Sequence, residues 1–125
     1  MDVFRIEGPV CLSGQVTVNG SKNAALPIMA ASILAGGQSS LLGVPRLSDV
    51  RVFGDLLQTL GCRVERGDDG RMDIDATGID NPVGEYEIVR KMRASICILG
   101  PLLARCGRAE VSMPGGAPSA TVRST

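Results

Sequence analysis

The first half of the chain contains two stretches in which apolar residues recur at helical spacing. The first, 24–36, predicts a helix that a Gly-Gly pair ends, with Pro27 in its first turn, where a missing N–H costs little. The second, 49–60, predicts a helix with Ser48 as its N-cap. The apolar faces are Leu26, Met29, Ile33 and Leu34 in the first helix, and Phe53, Leu56, Leu57 and Leu60 in the second.

Four other stretches alternate between apolar and polar residues or are short and bounded by turn residues, and they predict strands. Residues 4–18 predict a β-hairpin or two short strands. Residues 62–76 predict a hairpin with its turn at 67–70, Gly-Asp-Asp-Gly. Short strands are predicted at 39–45 and 109–114. The apolar positions of the 62–76 hairpin are Val64, Met72 and Ile74.

The longest helical pattern lies in the second half of the chain, over 86–107. Gly100-Pro101 predicts an interruption in it, because proline removes a helical hydrogen bond. Its predicted buried face consists of Ile88, Met92, Ile96, Leu99 and Leu103.

Two segments share one order of features: an apolar helix end, a glycine, a small strand and a proline. They are "ILAGGQSSLLGVP" at 33–45 and "LLARCGRAEVSMP" at 102–114, offset by 69 positions. The repeated unit is a helix, a strand, a helix and a hairpin, and about one and a half units are present. Because repeats bury their cores against one another, the pattern predicts an α/β fold that is part of a larger assembly.

Composition narrows the function classes. The 125 residues carry 13 basic and 13 acidic side chains, with 2% aromatics, which disfavours a nucleic-acid surface. The absence of histidine and of any Cys-x-x-Cys pair disfavours zinc and histidine-based catalysis. No signal peptide or membrane-length apolar run is evident, so we expect no membrane partner and a cytoplasmic protein with reduced thiols.

The turn "NGSKNAALP" carries the first candidate site. Free N–H groups at a helix start attract anions, and Lys22 adds a full charge, so Lys22 with Asn23 would hold a phosphate or a carboxylate. The alternative is that Ser21 or Asn23 is an ordinary helix cap and Lys22 is a solvated surface residue.

The segment "RKMRAS" carries the second candidate site, with three cations within four residues. Arg93 adjoins the apolar face and is expected to point inward, where its guanidinium would suit a carboxylate or a phosphate. The alternative is a solvated basic face, formed by Arg90, Lys91 and Arg93 and paired with Glu85 and Glu87.

The remaining polar and thiol groups favour structural roles. Cys97 and Cys106 are interpreted as small buried hydrophobic residues and not as nucleophiles. The carboxylates near the 62–76 hairpin are expected in the turn and on the solvent face, with a metal site as the alternative. They belong to Asp68, Asp69, Asp73 and Asp75.

Two long motifs, "GSKNAALPIMAA" and "VRKMRASICILGPLLARCG…VSMPGG", together resemble the UDP-N-acetylglucosamine 1-carboxyvinyltransferase family, the enolpyruvyl transferases of peptidoglycan synthesis. "VPRLSDV…LLQTLGCRVE" between them is also similar. The resemblance covers residues 1–116, less than a third of the family's usual length. It implies part of one lobe of an inside-out α/β barrel, built from repeated αβ units with helices inside and sheets outside.

The resemblance also implies a reaction, with no cofactor or metal. The 3′-hydroxyl of UDP-N-acetylglucosamine adds to C2 of phosphoenolpyruvate while C3 is protonated, and phosphate then leaves. Lys22 and Asn23 take the phosphoenolpyruvate role, and Arg93 binds beside the nucleotide sugar. The rival is the shikimate-pathway enolpyruvyl transferase, which "KNAALP" and "RKMRAS" disfavour.

The tail departs from the family pattern. After "PGG" the family continues G-C-A-I-G-x-R-P-V-D from its last glycine, with the cysteine as general acid, but here Ala117 stands in its place and carries no acidic proton. When G-C-A-I-G-N-R-P-V-D is written in GC-rich codons, deleting one base from the first codon gives residues 116–125. Residues 117–125 are therefore interpreted as a frameshifted tail after the family segment 1–116, with vector-derived residues as the alternative.

The chain alone is accordingly expected to be inactive. The competing hypothesis is a small non-enzymatic αβ module that binds an anionic metabolite through Lys22 and Arg93.

Overall fold

The computed structural model of the chain describes residues 2–112 and 120–123. Its helical elements are α1 (Lys22–Ala31), a 3-10 helix (Ser32–Ala35), α2 (Ser48–Thr59), α3 (Tyr86–Val89), a second 3-10 helix (Arg93–Ile98) and α4 (Leu99–Cys106). Its strands are β1 (Gln38–Leu41), β2 (Arg63–Arg66), β3 (Met72–Asp75), β4 (Val83–Gly84), β5 (Arg108–Val111) and β6 (Ala120–Arg123).

The strands form two three-stranded sheets. The first has the order β1-β3-β2, and both of its ladders are antiparallel. The second has the order β4-β5-β6, with β4 parallel and β6 antiparallel to β5. Within the described residues the sheets do not close into a barrel, so the structure is a partial α/β fold, as the sequence predicts.

The core lies between the helices and one face of each sheet. The predicted stripe of α2 is fully buried, from Phe53 to Leu60, and it packs with Met72 and Ile74 of β3. The alternation of β3 explains this arrangement, because its two apolar residues point to the core and its two aspartates to the other face. The 62–76 hairpin prediction is confirmed, with Gly67 N donating to Arg71 O at 2.8 Å across the turn.

The predicted helix over 24–36 is confirmed, but it begins two residues earlier, at Lys22. Pro27 therefore lies in its second turn, where it removes an interior hydrogen bond. Leu26, Met29 and Ile33 are buried as predicted, whereas Leu34 is 55% exposed because the chain tightens into a 3-10 helix before Gly36. Similarly, α2 begins at Ser48 itself, with Leu47 at the N-cap position, so the predicted capping role of Ser48 is wrong.

The predicted long helix over 86–107, with its interruption at Gly100-Pro101, is wrong. The helix stops after Val89, and Met92 has an extended backbone (φ −154°, ψ 121°) before the second 3-10 helix begins. Of the predicted buried face, Met92 is buried, Ile88, Leu99 and Leu103 are partly buried, and Ile96 is 38% exposed. The break adds Val89, Ser95, Ile98 and Leu102 to the buried face. Gly100-Pro101 does not interrupt the chain, because it falls in the first turn of α4, where proline is tolerated.

The predicted strands in 4–18 do not form. Residues 2–20 contain neither helix nor strand in the described structure, and Phe4 is 99% exposed. An alternating pattern indicates a segment that is able to pair. A strand forms only when the edge of another strand supplies hydrogen-bond partners and when its apolar face can pack against a core. A lone two-stranded hairpin is marginal in water.

The two related segments found in the sequence have the same local structure. The first 3-10 helix and α4 both end at a left-handed glycine, Gly36 (φ 67°) and Gly107 (φ 75°), and each is followed by a strand. Both strands, β1 and β5, take an antiparallel neighbour. The structure therefore contains two related αβ units, the second incomplete within the described residues.

Candidate functional site

Lys22 and Asn23 are the first two residues of α1. Ser21 occupies the N-cap position with an extended backbone, but its side chain makes no capping hydrogen bond. The amides of the first turn consequently keep their donor capacity, which is the condition for anion binding at a helix start. Lys22 is half-buried and Asn23 is exposed. An ordinary serine cap, the alternative considered from sequence, is absent at Ser21.

The start of α1 is fixed against the loop that leads from β1 to α2. Gly20 lies so close to Gly43 that a Cβ at position 20 would overlap the Gly43 carbonyl oxygen. This contact brings the first turns of α1 and α2 together. At the junction Lys22 Nζ lies 2.9 Å from Asp49 Oδ2, with each side chain about 40% exposed.

Asp49 is a further candidate site residue, one that the sequence pattern does not predict. It sits in the first turn of α2, where a carboxylate complements the helix dipole, and that position was its only sequence signal. Its pairing with Lys22 depends on the packing of α1 against α2, which no local pattern encodes. The carboxylate holds the ammonium group in place and also partly neutralises it.

Arg93 begins the second 3-10 helix, which packs against α1. Its side chain is exposed, so the expectation that it points inward along the core is wrong. The reason is the extended backbone at Met92, which changes the helical phase before Arg93. The three predicted binding residues thus lie on two packed elements, but within the described residues no hydrogen bond or ion pair joins Lys22, Asn23 and Arg93.

The other two cations of "RKMRAS" follow the solvated-face interpretation. Arg90 Nη2 lies 3.0 Å from Glu87 Oε2, an i, i+3 pair, and Lys91 is exposed.

Ser95, two residues beyond Arg93, is fully buried, and its hydroxyl has no hydrogen-bond partner in the described structure. Buried hydroxyls are normally satisfied, so this one is unusual. No sequence pattern predicts it, because a serine in an apolar helix usually donates to a preceding carbonyl, as Ser32 does to Met29.

The hairpin carboxylates have structural partners. Asp73 accepts hydrogen bonds from the Ser40 hydroxyl and from Arg71, and these hold its pKa below the ordinary value. Asp75 accepts from Thr77 N at 2.9 Å. Its pKa is lowered first by the hydrogen bond from the Thr77 side chain and then by this backbone bond. In the part of the chain that the structure describes, no group of three metal-ligating side chains comes together.

All four thiols are free. Cys97 and Cys106 are half-buried, so the expectation of small buried residues holds in part, and Cys62 is buried. Burial raises the pKa of the Cys62 thiol to about 11, which makes it a poor nucleophile. Ala117, at the family's general-acid position, lies outside the described residues.

Residues 6–123 match the model of a protein family described as EPSP synthase (3-phosphoshikimate 1-carboxyvinyltransferase). The chain belongs to this family. Among residues 2–112 and 120–123, no helix is long and apolar enough to cross a bilayer.

Curated relatives within this family are UDP-N-acetylglucosamine 1-carboxyvinyltransferases. The protein from Proteus mirabilis is 53% identical over 116 residues, and that from Anaeromyxobacter dehalogenans (strain 2CP-C) is 51% identical over 118 residues. Each match covers 93% of this chain but only 27% and 28% of the relatives. The chain therefore spans little more than a quarter of their length, and the resemblance recognised in the sequence is confirmed.

A solved structure supports the fold. The enolpyruvyl transferase NikO from Streptomyces tendae matches with a TM-score of 0.72 and 25% identity, over 84% of this chain and 24% of that protein. The predicted class, a portion of an enolpyruvyl-transferase fold, is confirmed.

Proposed function

We propose that this chain carries the front portion of an enolpyruvyl transferase acting on phosphoenolpyruvate and UDP-N-acetylglucosamine, in the first committed step of peptidoglycan synthesis. The observation that carries the proposal is the 53% identity to a protein of that activity, together with Lys22 and Asn23 at an uncapped helix start. The four free thiols fit the cytoplasmic location that belongs to the proposal.

Lys22 and Asn23 would bind phosphoenolpyruvate. The substrate presents a phosphate and a carboxylate, and both suit a site with free backbone amides and an ammonium group. Asp49 lies 2.9 Å from Lys22, so an anion arriving here competes with Asp49 for the ammonium group. The positive charge that remains would stabilise the phosphate as it leaves from the tetrahedral adduct.

Arg93 would bind beside the nucleotide sugar. Its exposed guanidinium stands on the 3-10 helix that packs against α1, so substrate groups held by Arg93 and by Lys22 would meet over these two elements. An arginine fork binds a phosphate through two parallel hydrogen bonds, which fixes orientation as well as position.

Protonation of C3 needs an acid that this chain lacks at its family position, where Ala117 stands. We therefore expect no phosphate release from the chain alone. The division at residue 116, with 117–125 frameshifted, is part of the proposal. Sequencing across the codons for residues 112–125 tests it, because restoring one base after the Gly115 codon must open a frame into Cys-Ala-Ile-Gly.

The catalytic proposal can be tested in a chimera in which residues 1–116 replace the matching segment of the Proteus mirabilis protein, so that the acid and the remaining fold come from the relative. We expect phosphate release that depends on both substrates. Lys22→Gln should reduce kcat/KM for phosphoenolpyruvate by about a hundredfold, and Arg93→Gln should raise the KM for the nucleotide sugar. Lys91→Gln is the matched control and should retain activity. A chimera that folds but keeps full activity with Lys22→Gln would refute the assignment.

The non-enzymatic module is not favoured by the comparisons. Calorimetric titration of the 125-residue chain with each substrate distinguishes the module hypothesis from the fragment hypothesis. Micromolar binding by the chain itself would support the module, whereas absent binding with poor thermal cooperativity would support the fragment.

A further inference from the structure

We propose a second anion-binding site, in an open groove between α2 and the core-side face of β2, for a small organic phosphate or carboxylate that carries a compact apolar group. The groove encloses about 500 Å³, within the range of roughly 300–1,000 Å³ typical of small-molecule sites. The residues that the argument uses are Arg46, Arg51, Arg66, Asp55, Val64 and Met72. None of them belongs to the Lys22 and Arg93 site.

Two of the arginines are held in place by reciprocal bonds between neighbouring loops. Arg46 Nη2, before α2, donates to the carbonyls of Gly67 at 3.3 Å and Asp68 at 3.2 Å. Arg66 Nη2, at the end of β2, donates in the opposite direction to the carbonyls of Val44 at 3.1 Å and Pro45 at 3.0 Å. Each guanidinium is thereby oriented through Nη2, and its Nε and Nη1 donors remain for a ligand.

The positive charge of the groove is not neutralised by neighbours. In the described part of the chain, no carboxylate forms an ion pair with Arg46, Arg51 or Arg66, and the Arg51 side chain makes no hydrogen bond. Three arginines and one carboxylate, Asp55, line the groove, which gives a local charge of 3 − 1 = +2 in a chain of net charge zero. The pKa of Arg66 is lowered, first by burial and then by the nearby charge of Arg46.

The floor of the groove is apolar. Val64 and Met72, on the core-side face of β2 and β3, adjoin Val50 and Gly54 of α2. The strand alternation places Arg66 on the same face as Val64, whereas Arg63 and Glu65 lie on the opposite face. Anchored guanidinium groups beside a small apolar surface fit a ligand whose anionic end is bound by the arginines and whose apolar end covers Val64 and Met72.

Phenyl phosphate is a suitable probe, with inorganic phosphate and benzyl alcohol as its charged and apolar halves. Binding to the full chain is measured by calorimetry, and the resonances that shift are followed by NMR. We expect phenyl phosphate to bind more tightly than either half. Arg51→Gln should weaken binding about tenfold. The fold should remain intact, since the Arg51 side chain makes no hydrogen bond or ion pair in the described structure.

Three further variants make the test specific. Asp55→Asn removes the only carboxylate of the groove and should strengthen binding. Arg63→Gln, on the opposite face of β2, should leave binding unchanged. Lys22→Gln, at the proposed transferase site, should leave unchanged the NMR shifts of the Val64 and Met72 resonances, which report binding in the groove. No binding of phenyl phosphate, equal affinity of Arg51→Gln and the parent chain, or a loss confined to Lys22→Gln would each overturn the proposal. The Lys22→Gln result also separates this proposal from the transferase proposal.

Discussion

The guanidinium of Arg105, on α4, donates from Nη1 to the carbonyl of Ile33 at 2.8 Å, across 72 positions of the chain. Its Nη2 donates to the carbonyl of Ala76 at 3.1 Å, just after β3. One side chain thus bonds the second αβ unit to two points of the first. The half-buried guanidinium also lies beside Gly36, 3.5 Å from where a Cβ would stand, which is an ordinary van der Waals contact.

Replacing Arg105 by methionine should therefore destabilise the chain. The variant keeps the apolar stem but leaves two carbonyls without their donor, so we expect the free energy of unfolding to fall by about 1.5–3 kcal/mol. Urea denaturation followed by circular dichroism measures the change. Arg108→Met, at an exposed position that begins β5, is the matched control and should change stability by less than about 0.5 kcal/mol. Equal losses in the two variants would rule out the inter-unit role.

Gly20→Ala should also destabilise the chain. The added methyl group would overlap the carbonyl oxygen of Gly43, a backbone atom that cannot move aside as a side chain end does. We expect a loss of about 1–3 kcal/mol, typical of overpacking. Gly37→Ala is the control, since nothing lies within 4 Å of its Cβ position. A Gly20→Ala chain as stable as Gly37→Ala would show that the α1 start is not fixed against this loop.

Thiol labelling should separate Cys11 from Cys62. Cys11 is exposed, whereas Cys62 is buried and its pKa is raised to about 11. At about pH 8, N-ethylmaleimide should modify Cys11 rapidly and Cys62 only through opening of the fold, because the thiolate is the reactive species. Mass spectrometry of peptides over time measures both rates. Denaturant should equalise them, and labelling of Cys62 at the rate of Cys11 without denaturant would contradict the burial.

Asp73 should contribute to the loss of stability in acid. Its pKa in the folded chain is lowered from the ordinary 3.8, chiefly by the hydrogen bond from Ser40 and then by Arg71. The folded state therefore binds its proton less readily than the unfolded state, so the stabilisation is fully present above pH 3.8 and is lost as the pH falls through the folded pKa. Asp73→Asn should flatten the decline of stability in this range. Denaturation curves at several acid pH values measure it, and an equally steep decline in the variant would contradict the prediction.

The parts of the fold that the sequence predicts correctly are those that depend on local pattern. The α2 stripe and the 62–76 hairpin follow from apolar spacing and from a glycine turn. The break at Met92 was missed because no glycine or proline marks it, and Pro101 was mistaken for the breaker although the first turn of α4 accepts it. Residues 4–18 carry a strand pattern, but pairing requires a partner edge, which a local pattern cannot supply.

In the candidate site, too, the sequence predicts the local features but not the contacts between elements. Lys22 and Asn23 are candidates because the sequence predicts a helix start beside them, and in the structure they are the first two residues of α1. Asp49 and the orphan hydroxyl of Ser95 depend on how α1 packs against α2 and the second 3-10 helix, so only the tertiary structure reveals them. The family motif identifies Arg93 as a candidate. The helical spacing predicts an inward-pointing side chain, but the break at Met92 changes that spacing and leaves Arg93 exposed.

Asp49→Asn tests the role of the carboxylate beside Lys22. The pair is half-exposed, so its loss should lower the free energy of unfolding by less than about 1 kcal/mol. Because the carboxylate competes with an incoming anion, the variant should bind phosphoenolpyruvate a few times more tightly at low salt, with the difference reduced at high salt. Titration calorimetry on the chimera at two ionic strengths measures the affinity for phosphoenolpyruvate and its dependence on salt. Asp69→Asn, in the exposed hairpin turn, is the matched charge control. Weaker binding by Asp49→Asn would mean that the carboxylate acts chiefly by orienting the ammonium group, and that neutralisation is the lesser effect.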